Sequence, residues 1–87
     1  MAVTIVVKVS SFRINQLYFL ESDLQKIKKS LVQIRYNSKP VKVRDIIFEG
    51  KEAVVVLEDA TEAVTPGQSA VFYSTENELL GGGVITK

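Results

Sequence analysis

Neither cysteine nor histidine occurs anywhere in the 87 residues. The first absence removes disulfides, thiolate nucleophiles, persulfide carriers and cysteine metal sites. The second removes the commonest general base and the commonest metal ligand. No stretch approaches the ~20 apolar residues that a membrane-spanning helix requires. The N-terminal apolar run, Ala2 to Val7, is broken by Thr4, closed by Lys8 and too short for a secretory signal. Most hydrolase, redox and zinc chemistry is therefore disfavoured, and a soluble, cytoplasmic protein with no membrane or metal partner is expected. A binding or structural module remains, or a site made of carboxylates, lysines and hydroxyls.

What is present suits a small globular domain. Hydrophobic residues make up 46% and charged residues 24%, so a core is expected rather than a disordered tail. A chain this short buries only roughly 60–65% of its unfolded surface. The net charge of +1 conceals an asymmetry. Seven basic residues (Lys26, Lys28, Lys29, Arg35, Lys39, Lys42, Arg44) fall between Lys26 and Arg44 with no acidic residue among them, whereas Asp45 to Thr86 carries eight acidic residues against the single base Lys51. Outward-facing strand lysines that keep the protein soluble would explain this, and so would an anion-binding face.

Along the chain the signals are those of strands. Val3 to Val9 is dense in β-branched residues, Ser10-Ser11 punctuates it, and Phe12 to Leu20 reads as a second strand. Ser22 with Gln25 fits a capping box, and Leu24, Ile27 and Leu31 have helical spacing, which gives at most one helical turn. Leu31 to Tyr36 puts Val32, Ile34 and Tyr36 on one face and Leu31, Gln33 and Arg35 on the other. In Val41 to Phe48 the apolar phase changes between Val43 and Ile46, the mark of a bulge or a barrel corner. Gly50 fits a hairpin turn, and Ala53 to Leu57 reads as a strand buried on both faces. Glu58 to Val64 reads as a polar connection, Thr65-Pro66-Gly67-Gln68 as a type II turn, Ser69 to Tyr73 as a strand, and Leu79 to Ile85 as a last strand interrupted by three glycines. About five to seven short strands at hairpin spacing predict an all-β fold, a small antiparallel β-barrel.

Few motifs carry chemistry. Gly81-Gly82-Gly83 lacks the Gly-Lys-Ser/Thr ending and the helix of a phosphate loop, so conformational glycine in a barrel is the better account. Glu58-Asp59 and Glu76 with Glu78 lack calcium-loop spacing. The informative stretch interleaves bases, an aromatic and amides: Gln33, Arg35, Tyr36, Asn37, Lys39. Arg and Lys neutralise phosphates, Tyr stacks on bases, and amides bond to base edges.

Three stretches, taken together, resemble a known family. They are Gln33-Ile34-Arg35-Tyr36-Asn37-Ser38-Lys39-Pro40-Val41, Glu62-Ala63-Val64-Thr65-Pro66-Gly67-Gln68-Ser69-Ala70-Val71-Phe72-Tyr73 and Leu80-Gly81-Gly82-Gly83-Val84-Ile85. In that order and spacing they are similar to the C-terminal β-barrel domain of the tRNA-specific 2-thiouridylases, over residues 31 to 87. The resemblance implies residues 1–22 as the end of the family's central domain with a linker, and residues 23–87 as the barrel. It implies a non-catalytic domain with no cofactor, which holds tRNA weakly through backbone contacts beside the catalytic domain of the same family. That family's ATP loop and catalytic cysteines have no counterpart here. The tRNA contacts would fall on Arg35, Tyr36 and Gln68, with Lys39 adjoining them. Departures are Asn37, where the family often carries a second basic residue, and Leu79, where it carries a cysteine. The rival reading is a structural or protein-interaction barrel that docks a catalytic domain or dimerises, with no RNA contact.

Overall fold

The structure, a computed structural model, describes residues 8–34, 39–62 and 64–86. Six strands and one short helix follow in the order β1 (Lys8–Phe19), α1 (Leu24–Lys28), β2 (Leu31–Gln33), β3 (Val41–Glu49), β4 (Glu52–Glu62), β5 (Ser69–Tyr73) and β6 (Leu79–Thr86). The strands close an antiparallel barrel in the order β1-β4-β3-β2-β5-β6. The expected fold class, with a single turn of helix, is the one found.

Each strand sends a large, fully buried side chain to the centre: Ile14, Val32, Ile46, Val55, Phe72 and Ile85. This is the period-two pattern of strands with one face turned inward. Ala53, Val55 and Leu57 face the interior of β4 while Val54 and Val56 are half-buried. The apolar run of β4 is therefore buried on one face, not on both. The change of phase in β3 is a bulge, with the β3–β4 register shifting between Val43 and Asp45 so that Ile46 still reaches the core.

Other local readings are corrected. Ser10-Ser11 does not break a strand; β1 runs through it, and its register with β4 shifts between Val9 and Ser11 instead. Residues 58–62 are not a free connection but the far part of β4, where Thr61 and Glu62 pair with Val9 and Lys8. Their polar composition follows from exposure rather than from a lack of strand structure. Asp23, not Ser22, caps α1: its Oδ1 accepts from the Gln25 N–H at 3.0 Å. Ile27 is the buried residue of that turn.

The glycines of β6 serve close approach. A Cβ on Gly82 would stand 2.5 Å from the Ala70 carbonyl oxygen and 2.9 Å from the Tyr18 hydroxyl. Tyr18 therefore lies across β6 where a side chain would stand. No conformational role for anions is needed to explain the triplet.

Candidate nucleic-acid interface

Because all six strands alternate in direction, the loops divide between two rims. One rim gathers the start of β1, the end of β2, the start of β3, the end of β4 and the turn before β5. The other gathers the end of β1 with α1, the β3–β4 hairpin at Gly50 and the β5–β6 loop. Of the sequence candidates, Lys39 and Gln68 stand at the first rim. Arg35 and Tyr36 lie outside the described residues. Lys39 is exposed immediately before β3, and Gln68 is half-buried immediately before β5. β2 lies between those strands, so two strand spacings, about 10 Å, separate them.

Gln68 is held by its backbone. Its N–H donates to the Thr65 carbonyl at 3.2 Å, closing the turn, and its carbonyl accepts from the Ile85 N–H at 2.8 Å. Gly67 takes φ +94° at the third turn position, the conformation that a type II turn asks of glycine. The Gln68 Oε1 is out of solvent and has no hydrogen-bond partner among the described residues.

A cleft opens at the same rim. The β3–β4 ladder begins at Val43 opposite Leu57, and beyond it β4 leaves to pair with the start of β1. The gap, about 380 Å³, is lined by Val32, Ile34 and Val41 on one side and by residues 60–62 on the other, with Lys8 and Lys39 contributing their side chains. Sequence reading missed Lys8. Its signal was a lone base ending an apolar strand, which only the β1–β4 pairing brings beside Lys39.

The basic segment is spread rather than bunched. Lys26, Lys28 and Lys29 sit on and just after α1. Lys42 and Arg44 are exposed on β3, two residues apart and so on the same outer face. Among the described residues only Lys28 of this segment is ion-paired, its Nζ lying 3.2 Å from Asp45 Oδ1. The Lys28 ammonium and the Ile46 N–H, 2.8 Å away, hold the Asp45 carboxyl below its ordinary range. The exposed acids Glu58, Asp59 and Glu62 lie on the far part of β4, which pairs with the start of β1, and Glu62 faces Val41 across the cleft. Among the described residues no group of three or more carboxylates is placed to hold a metal, and no helix is long and apolar enough to cross a membrane.

Comparison with known proteins fits this geometry. The family described as aminomethyltransferase beta-barrel domain matches residues 9–85. The tRNA-specific 2-thiouridylase MnmA of Pelobacter propionicus is 46% identical over 54 residues, covering 62% of this chain and 15% of the relative. MnmA 3 of Phocaeicola vulgatus is 40% identical over 63 residues, covering 72% of this chain and 16% of the relative. The chain belongs to the C-terminal β-barrel domain family of the tRNA-specific 2-thiouridylases. It spans about a sixth of the length of the curated relatives it matches. The family match begins at residue 9, so it takes in nearly all of β1, whose pairing with β4 and β6 completes the barrel.

Proposed function

We propose that this barrel is a non-catalytic, cytoplasmic tRNA-holding module, working beside the catalytic body of a 2-thiouridylase. The observation that carries this is the meeting, on one rim, of Lys8, Lys39 and Gln68 with a cleft whose one wall, Val32, Ile34 and Val41, is apolar; Arg35 and Tyr36 join this reading through the family resemblance. Lysine and arginine neutralise phosphates, and the apolar wall suits a sugar or the face of a base. Lys42 and Arg44 extend the positive surface along β3. We place the domain boundary before β1, because without that strand the barrel would be open.

Filter binding of tRNA by the parent chain and by an Arg35→Ala, Tyr36→Ala double variant tests the reading. The double variant binds more weakly, by about tenfold or more at low salt, and keeps the parent's circular dichroism. Equal affinity removes the assignment.

A further inference from the structure

Two cross-strand rows of side chains stand on the outer wall of the barrel. In the first, Lys42 on β3 pairs with Leu31 on β2, and Leu31 pairs with Tyr73 on β5. In the second, Val71 on β5 pairs with Gly82 on β6, and Gly82 pairs with Tyr18 on β1. Phe72, between Val71 and Tyr73, is fully buried, and Phe19, next to Tyr18, sends its ring inward to Phe72 at 5.7 Å. Alternation therefore turns both rows outward. Tyr18 is 50% exposed. A Cβ on Gly82 would meet its hydroxyl at 2.9 Å and its Cζ at 3.1 Å. The missing side chain lets the phenol lie low across β6, the strand next to the one that carries Tyr73. Leu31, Val71 and Tyr73 are half-buried and continue this floor. Cations border it on the β3 side: Lys42 and Arg44 are exposed and, among the described residues, in no ion pair, while Asp45 beside them is held by Lys28. The acids Glu76 and Glu78, on the loop after Tyr73, share a cleft with Lys26 and Lys29 and lie outside both rows.

We infer that this wall is a stacking platform for an unpaired stretch of RNA, with bases laid against Tyr18 and Tyr73 and phosphates running past Lys42 and Arg44. Two rings on neighbouring strands of an outward sheet face, with free cations at its margin, are what a single strand needs: every base has a face to stack, and every linkage a charge to neutralise. A duplex keeps its base faces between neighbouring pairs, so the tyrosines have nothing to offer it. A protein surface would gain from Leu31 and Val71, but the unpaired ammonium and guanidinium beside them favour a polyanion. Gly82 has a role in this arrangement, since any side chain there would lift the Tyr18 ring off the sheet. The inference rests on the reading of RNA as the partner and deepens it. It names unpaired nucleotides as what is held, on a surface apart from the rim of Lys8, Lys39 and Gln68.

The chain has no tryptophan and three tyrosines, so tyrosine emission reports stacking directly. In a Tyr36→Phe background that emission comes from Tyr18 and Tyr73 alone. This chain is titrated with a short oligouridylate and with an RNA duplex of the same length. The oligouridylate quenches the emission and binds about tenfold or more tighter than the duplex. Tyr18→Leu and Tyr73→Leu each weaken it about fivefold or more, whereas Tyr18→Phe, which keeps the ring, stays within about twofold of the parent. Lys42→Ala lowers the salt slope by about 0.7, the loss of one phosphate contact to a single strand. Circular dichroism checks that each variant is folded. Equal affinity of the parent, Tyr18→Leu and Tyr18→Phe overturns the inference, and so does a duplex bound as tightly as the oligouridylate. Self-association that Tyr18→Leu abolishes, with oligouridylate affinity unchanged, overturns it and assigns the wall to a second copy. The rim is scored separately, with whole tRNA and the Arg35→Ala, Tyr36→Ala variant. Weakened tRNA binding there beside an unquenched oligouridylate removes the platform and leaves the rim, and the opposite pair of results removes the rim and leaves the platform.

Discussion

At one end of the barrel the strands finish in Lys8, Lys39, Glu62 and Gln68; at the other they finish in Phe19, Leu20, Phe48 and Leu79. Both ends are capped by loops of the same closed sheet and lie over the same core, so strand packing does not require them to differ. Both ends leave charge in water, Lys8, Lys39 and Glu62 at the first and Lys26, Lys29, Glu76 and Glu78 at the second; the second adds exposed leucine, tyrosine and phenylalanine. A closed sheet has no unpaired edge for another chain to extend, so association must use side chains, and the second end offers exposed leucine and phenylalanine beside its charges.

The widest break in this comparison comes from the shared middle. Phe72→Ala removes the largest fully buried side chain and costs about 3–5 kcal/mol, a large share of the stability of a domain this small. Both ends should then fail together, seen as a lower midpoint in urea and loss of tRNA binding at the same denaturant concentration. Next in size is the contrast between Lys39→Glu and Leu79→Ser. The first should weaken tRNA binding and lower the salt slope by about one, while thermal stability stays within about 0.5 kcal/mol of the parent. The second should leave both the salt slope and tRNA affinity unchanged. A Leu79→Ser variant that lost tRNA binding would end the division of labour between the rims. The smallest effect belongs to Asp45. Its carboxyl is held below the ordinary value by Lys28 and the Ile46 N–H, so its contribution to stability is present at neutral pH. It fades as pH falls below about 3.9 toward the folded-state value. Asp45→Asn should melt slightly below the parent at pH 7, and the two should converge in acid.

Much of the barrel could be read from local chemistry. Pro66-Gly67 dictated its turn, Gly50 takes φ +64° in the β3–β4 hairpin as expected, and the apolar phase change between Val43 and Ile46 announced the bulge in β3. Local chemistry failed where pairing partners decide. Ser10-Ser11 and residues 58–62 looked like breaks, yet they pair with each other's strands where β1 and β4 run out beyond the core. Ser22 satisfied the capping pattern, but the chain turned one residue later, at Asp23. For the candidate site, Lys39 and Gln68 were legible as residues and lie on one rim. Their neighbour Lys8, 31 positions before Lys39 in sequence, becomes visible only once the barrel closes. The bulge of β1 between Asn15 and Tyr18, with Gln16 at φ +49°, had no glycine to mark it.

The three phenyl rings of Phe72, Phe19 and Phe48 form a continuous column from the centre of the barrel to its apolar mouth. Whatever rests on that mouth presses on the outermost ring, and the load passes inward through direct contact. The aromatic proton resonances of Phe72, sealed from water, thereby become an interior gauge of an event on the exterior, readable without attaching any label.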